Sequence, residues 1–133
     1  MAEYLVWDPS KLGLGVPAMD HEHEKLIGLM NAVHQLHDAA APRTAQAKAV
    51  AELVAYTRKH FADEEAYMQW IGLPQARIHA GVHRQLMTRL QDFTQAFERT
   101  GRLGDDFFVF LTMWLRAHIC GMDTKYAAAQ SAA

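Results

Sequence analysis

The sequence predicts an all-α fold: an antiparallel up-down-up-down four-helix bundle with an ordered N-terminal arm. Three observations predict it. Apolar residues recur at three- and four-residue steps in four long stretches, the spacing of one helix face. The breaks between these stretches are short and carry Pro or Gly, so consecutive helices must lie side by side. No stretch shows the strict polar/apolar alternation of a half-buried strand.

Each element has its own grounds. Residues 1–18 contain two Pro and two Gly and no helical period, which predicts an arm with Tyr4, Leu5, Val6 and Trp7 packed onto the bundle. The first helix is expected from Met19 to about Asp38, with Leu26, Ile27, Leu29, Met30, Val33 and Leu36 inward. Asp20, Glu22 and Glu24 fall in its first turns, where the helix dipole favours acids. Pro42 suits the first position of a second helix running to about Ile71. Its inner stripe is Val50, Leu53, Val54, Thr57, Phe61 and Met68. A stop and restart at Gly72-Leu73-Pro74 opens the third helix, which ends before Gly101 with Ile78, Val82, Leu86, Leu90, Phe93 and Phe97 inside. Asp105 or Asp106 is expected to cap the fourth helix. That helix carries Phe107, Phe108, Phe110, Leu111, Trp114, Leu115 and Ile119, passes Gly121 and reaches about residue 126. A short tail, residues 127–133, follows.

Composition narrows the function. The 133 residues form one expected domain, 50% hydrophobic and 21% charged. The net charge of −2 favours neither nucleic acid nor an anionic membrane. A single cysteine, Cys120, precludes an internal disulfide and fits a reducing compartment. No run of about 18 apolar residues suggests a membrane span, and no secretory leader is recognised, so a cytoplasmic location without membrane insertion is expected. The unusual count is eight histidines.

Their spacing is informative. His60 with Glu64 and His79 with His83 are i, i+4 pairs, each on one helix face. At about 1.5 Å of rise per residue, the distance from a turn gives height in the bundle. From a turn at Leu73, His60 and Glu64 lie roughly 20 and 13 Å away, and His79 and His83 roughly 9 and 15 Å. From a turn near Ala40, His23 and His60 are level at about 26 and 30 Å. From a turn near Arg102, His83, His118 and Asp123 lie at about 29, 24 and 32 Å. His23, His60, Glu64, His79, His83, His118 and Asp123 therefore fall in one slab. So many polar groups in a bundle core require partners. His34 lies about 16 Å below the slab and reads as core or pocket lining away from the metals, and His37 as similar or exposed. His21 is level but points to solvent. His118 and Asp123 are i, i+5, about 140° apart on a regular helix. Both reach one site only if the helix ends, loosens or widens to a π turn, or if they approach from either side.

Each pair alone would be a coincidence of spacing; the seven at one height exceed the needs of one metal and imply two. Imidazoles suit iron, zinc, copper or nickel, and carboxylates shift the balance toward harder ions. The ligand set, with Val6-Trp7, Gly15-Val16, Asp20-His21-Glu22-His23, Asn31, His60-Phe61, Glu64-Glu65, Met68, His79 to His83, Trp114-Leu115, His118-Ile119 and Asp123, resembles the bacterial hemerythrins. These are non-haem di-iron proteins that bind O2. The resemblance implies two iron ions, ferrous or ferric, with an oxo or hydroxo bridge. One iron would take His79, His83 and His118, the other His23 and His60, with Glu64 and Asp123 bridging. Counting donors then closes the first iron at six and leaves the second a vacancy for O2.

The function so implied is reversible O2 binding for transport, storage or delivery, without enzymatic turnover beyond side oxidase or peroxidase activity. An oxygen-accepting protein is the further partner to expect. Leu26, Ile27, Phe61, Trp114, Leu115 and Ile119 neighbour the ligands and would line an O2 pocket, although each is equally read as ordinary core. Acceptors for the imidazole N–H groups are expected, but the sequence does not name them. Rival readings are a di-iron oxidase or peroxidase, a nitric oxide or iron handler, and a structural zinc bundle. Ferritin-like oxidases draw a Glu from two helices and Glu-x-x-His from two more, a pattern absent here. Cys120 is not needed as a ligand.

Overall fold

The computed structural model describes residue 5, residues 16–114 and residues 117, 118 and 123. Four helices follow one another: α1 (Pro17–Asp38), α2 (Arg43–Trp70), α3 (Ala76–Thr100) and α4 (Asp105–Met113). No strand occurs among the described residues, and the predicted four-helix bundle is what forms. α1 packs on α2 and α2 on α3. The Phe-rich start of α4 seals the bundle: Phe107 and Phe110 meet Phe93 of α3 at ring-centroid distances of 5.5 and 5.3 Å. Among the described residues no helix is long and apolar enough to cross a membrane.

The helix ends differ slightly from expectation. α1 starts two residues before Met19, because Pro17 tolerates the first turn, where its missing N–H is not needed. Pro42 is the N-cap of α2 rather than its first helical residue. α3 starts at Ala76, after a turn in which the Ala76 N–H donates to the Leu73 carbonyl at 3.1 Å. Gly104, not Asp105 or Asp106, occupies the N-cap of α4; both acids lie in its first turn and oppose the helix dipole favourably. Gly72 and Gly101 close α2 and α3 in the left-handed region, at φ of 68° and 71°, where a side chain would be strained. At the first turn Ala40 takes φ 52° without glycine's freedom.

A polar layer divides the core into two apolar clusters. The larger contains Leu26, Ile27, Met30, Leu53, Phe61, Leu90, Phe107, Leu111 and Trp114. The smaller contains Val16, Met19, Met68 and Leu73 at the end nearest the α2–α3 turn. Along α1, Met19 lies on one side of His23 and Leu26 on the other; along α2, Phe61 and Met68 flank Glu64 in the same way. Ile78, expected inside, is instead 67% exposed. The buried face of α3 runs through His79, His83, Leu90 and Phe97. Ile78 precedes His79 by one residue and therefore points about 100° away from that face.

Of the arm, Tyr4, Val6 and Trp7 lie outside the described residues. Leu5 is buried and held on both sides by one amide: its N–H donates to Asn31 Oδ1 at 2.7 Å, and Asn31 Nδ2 donates to its carbonyl at 2.6 Å. His34 and His37 sit far from the polar layer, their rings 4.9 and 5.0 Å from that of Phe108. His21 is exposed.

Candidate metal centre

The seven slab residues meet. His23 comes from α1, His60 and Glu64 from α2, and His79 and His83 from α3. His118 and Asp123 come from the chain beyond α4. Each is at most 3% exposed. The i, i+4 pairs work as their spacing requires: His60 and Glu64 point inward on one face of α2, and His79 and His83 on one face of α3. The i, i+5 pair works by a different device. Beyond Met113 the described residues Trp114, Ala117 and His118 are π-helical, and the Asp123 N–H donates to the His118 carbonyl at 2.9 Å. A five-residue hydrogen-bond step widens the turn, so both side chains face the centre.

The donor atoms sort into two sets that share two carboxylates. One atom each from Glu64, His79, His83, His118 and Asp123 lies within 4.8 Å of all the others; so does one each from His23, His60, Glu64 and Asp123. Glu64 Oε1 lies 2.9 Å from His83 Nε2, while its Oε2 lies 3.2 Å from His23 Nε2. Asp123 Oδ1 lies 2.9 Å from His79 Nε2, and its Oδ2 3.1 Å from His23 Nε2. Each carboxylate thus spans the two sets.

Two glutamates that the sequence reading left unassigned orient the rings. His60 Nδ1 donates to Glu22 Oε1 at 2.7 Å, and His83 Nδ1 donates to Glu65 Oε2 at 3.0 Å. With Nδ1 carrying the proton, Nε2 presents a lone pair to the centre. Glu22 reads in sequence as one of three acids near a helix N-terminus, and Glu65 only as the neighbour of Glu64 in the resemblance. Their adjacency to His23 and Glu64 was the available signal; that they reach His60 and His83 is a matter of tertiary packing.

This donor set fits a cation. His118 Nε2 lies 3.2 Å from His79 Nε2 and 3.1 Å from His83 Nε2, so three imidazole nitrogens converge on one point. His60 Nε2 and both Asp123 carboxylate oxygens are buried and make no well-aligned hydrogen bond, although ring nitrogens or carboxylate oxygens lie 2.9–3.3 Å away. Buried polar atoms left in this way are costly unless a further group satisfies them. In the metal-free chain, protons stand in for cations. Burial pulls His23 and His79 down, but hydrogen bonds and charge from Asp123 and Glu64 outweigh it and hold both up to about 9. Burial also pulls His60 and His118 down, but both are raised, His60 by Glu22 and Glu64 and His118 by Asp123 and Glu64. Burial opposes ionisation of Asp123 and Glu64, yet the surrounding imidazoles hold Asp123 at about 2 and Glu64 well below the usual carboxylate range.

Of the residues expected to line an O2 pocket, Leu26, Ile27, Phe61 and Trp114 are at most 3% exposed and belong to the large apolar cluster. Phe61 stacks on His83 at 3.8 Å between ring centroids, with planes 6° apart. Leu115, Ile119 and Cys120 lie outside the described residues.

Comparison with known proteins agrees with this centre. The family model described as the hemerythrin HHE cation binding domain matches residues 14–129. A bacteriohemerythrin of Stenotrophomonas maltophilia is 32% identical over 123 residues, 92% of this chain and 79% of that protein. A bacteriohemerythrin of Methylococcus capsulatus is 28% identical over 131 residues, 96% of this chain and 98% of that protein. A myohemerythrin of Riftia pachyptila is 32% identical over 124 residues, 91% and 89% of the two chains. The crystal structure of a wild-type hemerythrin superposes with a TM-score of 0.83 at 27% identity, covering 96% of this chain and 98% of that one. With the buried histidine and carboxylate cluster in place, these likenesses carry the conclusion that the chain belongs to the hemerythrin family and binds O2 at a non-haem di-iron centre.

Proposed function

We propose that the two donor sets are unequal holders of the two irons, and that the smaller set is where O2 binds. His79, His83 and His118 hold one iron and His23 and His60 the other, with Glu64 and Asp123 shared between them. The observation that carries this reading is the division of the donors, three imidazoles against two around the same two carboxylates. When bound, the iron pair supplies two electrons and a vacant coordination position to O2.

The chain's own residues supply the rest. Glu22 and Glu65 fix the His60 and His83 rings with their Nε2 atoms inward. Leu26 and Ile27, one helical turn from His23, form an apolar wall beside the two-imidazole set and keep water from it. A dry, apolar surround slows loss of charged oxygen species and so favours reversibility over turnover. The centre spends its polar residues on the metals: beyond the seven, the carboxylates that reach a ligand imidazole among the described residues are Glu22 and Glu65. That supports a carrier, store or deliverer of O2 rather than an oxidase acting on a second substrate. The single cysteine supports a reducing compartment such as the cytoplasm. The 14–129 match supports one domain spanning the chain.

The test is spectroscopic. The protein is loaded with ferrous iron without O2, exposed to O2, and then purged. Visible absorption that appears and disappears with O2 is the expected result. Colour that persists after purging, with peroxide released or a reductant consumed, would establish the oxidase reading instead. His23→Ala is expected to abolish reversible binding; retention would overturn the assignment of the open iron.

A further inference from the structure

A groove between α2 and α3 runs over one ligand of the centre. It consists of two adjoining hollows of about 420 and 560 Å³ that share Glu65 and Arg84. Arg58 lies at one end, Arg77 at the other, and His83 in the floor. Glu65 connects this floor to solvent: its side chain is 35% exposed, whereas that of Glu22, which holds His60, is 11% exposed. The groove therefore gives the more open of these two approaches to the centre, through one carboxylate and one imidazole.

Its charge runs against that of the chain. The net charge is −2, yet residues 76–91 hold three arginines and no Asp or Glu. Arg58, Arg77 and Arg84 are exposed, and none has a carboxylate within salt-bridge distance among the described residues. The one acid in the groove, Glu65, is engaged by His83. Measured from the α2–α3 turn, the three guanidinium-bearing residues spread over about 16 Å of helix rise. One small anion needs convergent donors; a row of that length matches carboxylates displayed on the surface of another protein.

We propose that this groove docks an acidic one-electron donor protein, which returns the oxidised centre to its ferrous form; the proposal rests on the di-iron reading. Each encounter moves one electron through the His83 edge and leaves the donor oxidised by one electron. Two encounters convert two ferric ions to ferrous, and no atom is transferred. Arg58, Arg77 and Arg84 steer the approach, and Phe61, stacked on His83, covers one face of that ring.

The probe is a plant-type [2Fe–2S] ferredoxin, an acidic one-electron protein. Calorimetric titration of the diferric protein with oxidised ferredoxin reads docking alone, because no electron can move. Reduced ferredoxin in a stopped-flow instrument then reads electron transfer. The variant R58E/R77E/R84E is expected to weaken binding and slow reduction by about ten-fold or more at low ionic strength, with the difference vanishing at high salt. Lys48→Glu, on a remote part of α2, is expected to leave both unchanged.

Equal rates in wild type and triple variant, or an equal loss from Lys48→Glu, would overturn the proposal. So would millimolar inorganic phosphate blocking ferredoxin at constant ionic strength, which would make the groove a small-anion site. Reduced methyl viologen, a small cation, must reduce every variant at least as fast as wild type. Absence of ferric charge-transfer bands before reduction would refute the di-iron reading itself, and is recognised separately from a docking failure.

Discussion

The backbone N–H of Asp123 donates to the carbonyl of His118 at 2.9 Å, five residues back instead of four. This widened step, at the end of a π-helical stretch, lets both side chains serve one centre. On a regular helix they would point about 140° apart. A π turn is uncommon and weaker than an α turn, and it persists where a site needs it. Deleting one residue between 118 and 123 restores α spacing while keeping both ligands. The expected outcome is a fall from two irons per chain to one or none, read by metal analysis, with helical circular dichroism nearly unchanged. Two irons retained would show that the register is unimportant.

Glu22 and Glu65 touch ligands through the ring atom that faces away from the centre. Loss of such a partner typically costs 10–100-fold in metal affinity. Glu22→Ala should weaken iron held by His23 and His60, and Glu65→Ala iron held by His79, His83 and His118, each by about that factor. Glu22→Gln keeps an oxygen acceptor and should lose less. Chelator competition measures all three; unchanged affinity in both alanine variants would remove their orienting role.

The metal-free chain should have its stability optimum at a lower pH than the iron-loaded one. His23 and His79 rise from 6.5 to about 9 on folding, so their contribution is complete below pH 6.5 and lost as pH climbs through 9. Asp123 falls from 3.8 to about 2, and Glu64 lies well below 4.5, so theirs is complete above about pH 4.5 and lost on acidification. Metal-free protein should therefore melt highest near pH 4.5–6.5. Iron requires deprotonated imidazoles, so loading should shift the optimum upward and release protons. Thermal melts across pH with and without iron test this; coincident optima would contradict it.

Ile27 is 2% exposed and follows His23 by one turn of α1. Ile27→Ala should destabilise the fold by about 2–5 kcal/mol through lost burial and the residual cavity. It should also admit water beside the two-imidazole set and accelerate irreversible oxidation of the O2-loaded protein. Leu90→Ala, equally buried on α3, controls for stability alone. Equal oxidation rates in the two variants would place Ile27 in the core and nowhere else.

The strain at Ala40, with φ 52°, sits in a turn where glycine is at ease. The left-handed region costs a non-glycine residue about 1–2 kcal/mol, and glycine's unfolded-state entropy returns part of that. Ala40→Gly should raise stability by roughly 0.5–1 kcal/mol, measured by denaturant titration; a lower midpoint would refute it.

The sequence by itself determined the helices, their order and the level of the polar layer. These follow from local rules: apolar residues repeat with the helical period, Pro and Gly punctuate the chain, and rise per residue converts number into height. His23, His60, Glu64, His79, His83, His118 and Asp123 were legible from their level in the bundle, and five of them need nothing beyond a regular helix facing inward. Ile78 was misread because a wide apolar stripe leaves the centre of a helix face uncertain by one residue, or about 100°. Three things were decided only by the tertiary structure. Glu22 and Glu65 became ring-holding acceptors, since which acids reach which imidazoles depends on the rotation of each helix. The open outcomes for His118 and Asp123 were reduced to one, since a π turn forms only when burial of both side chains outweighs its weaker hydrogen bonding. The basic groove over His83 arose because Arg58 and Arg84 belong to different helices and meet only when these pack.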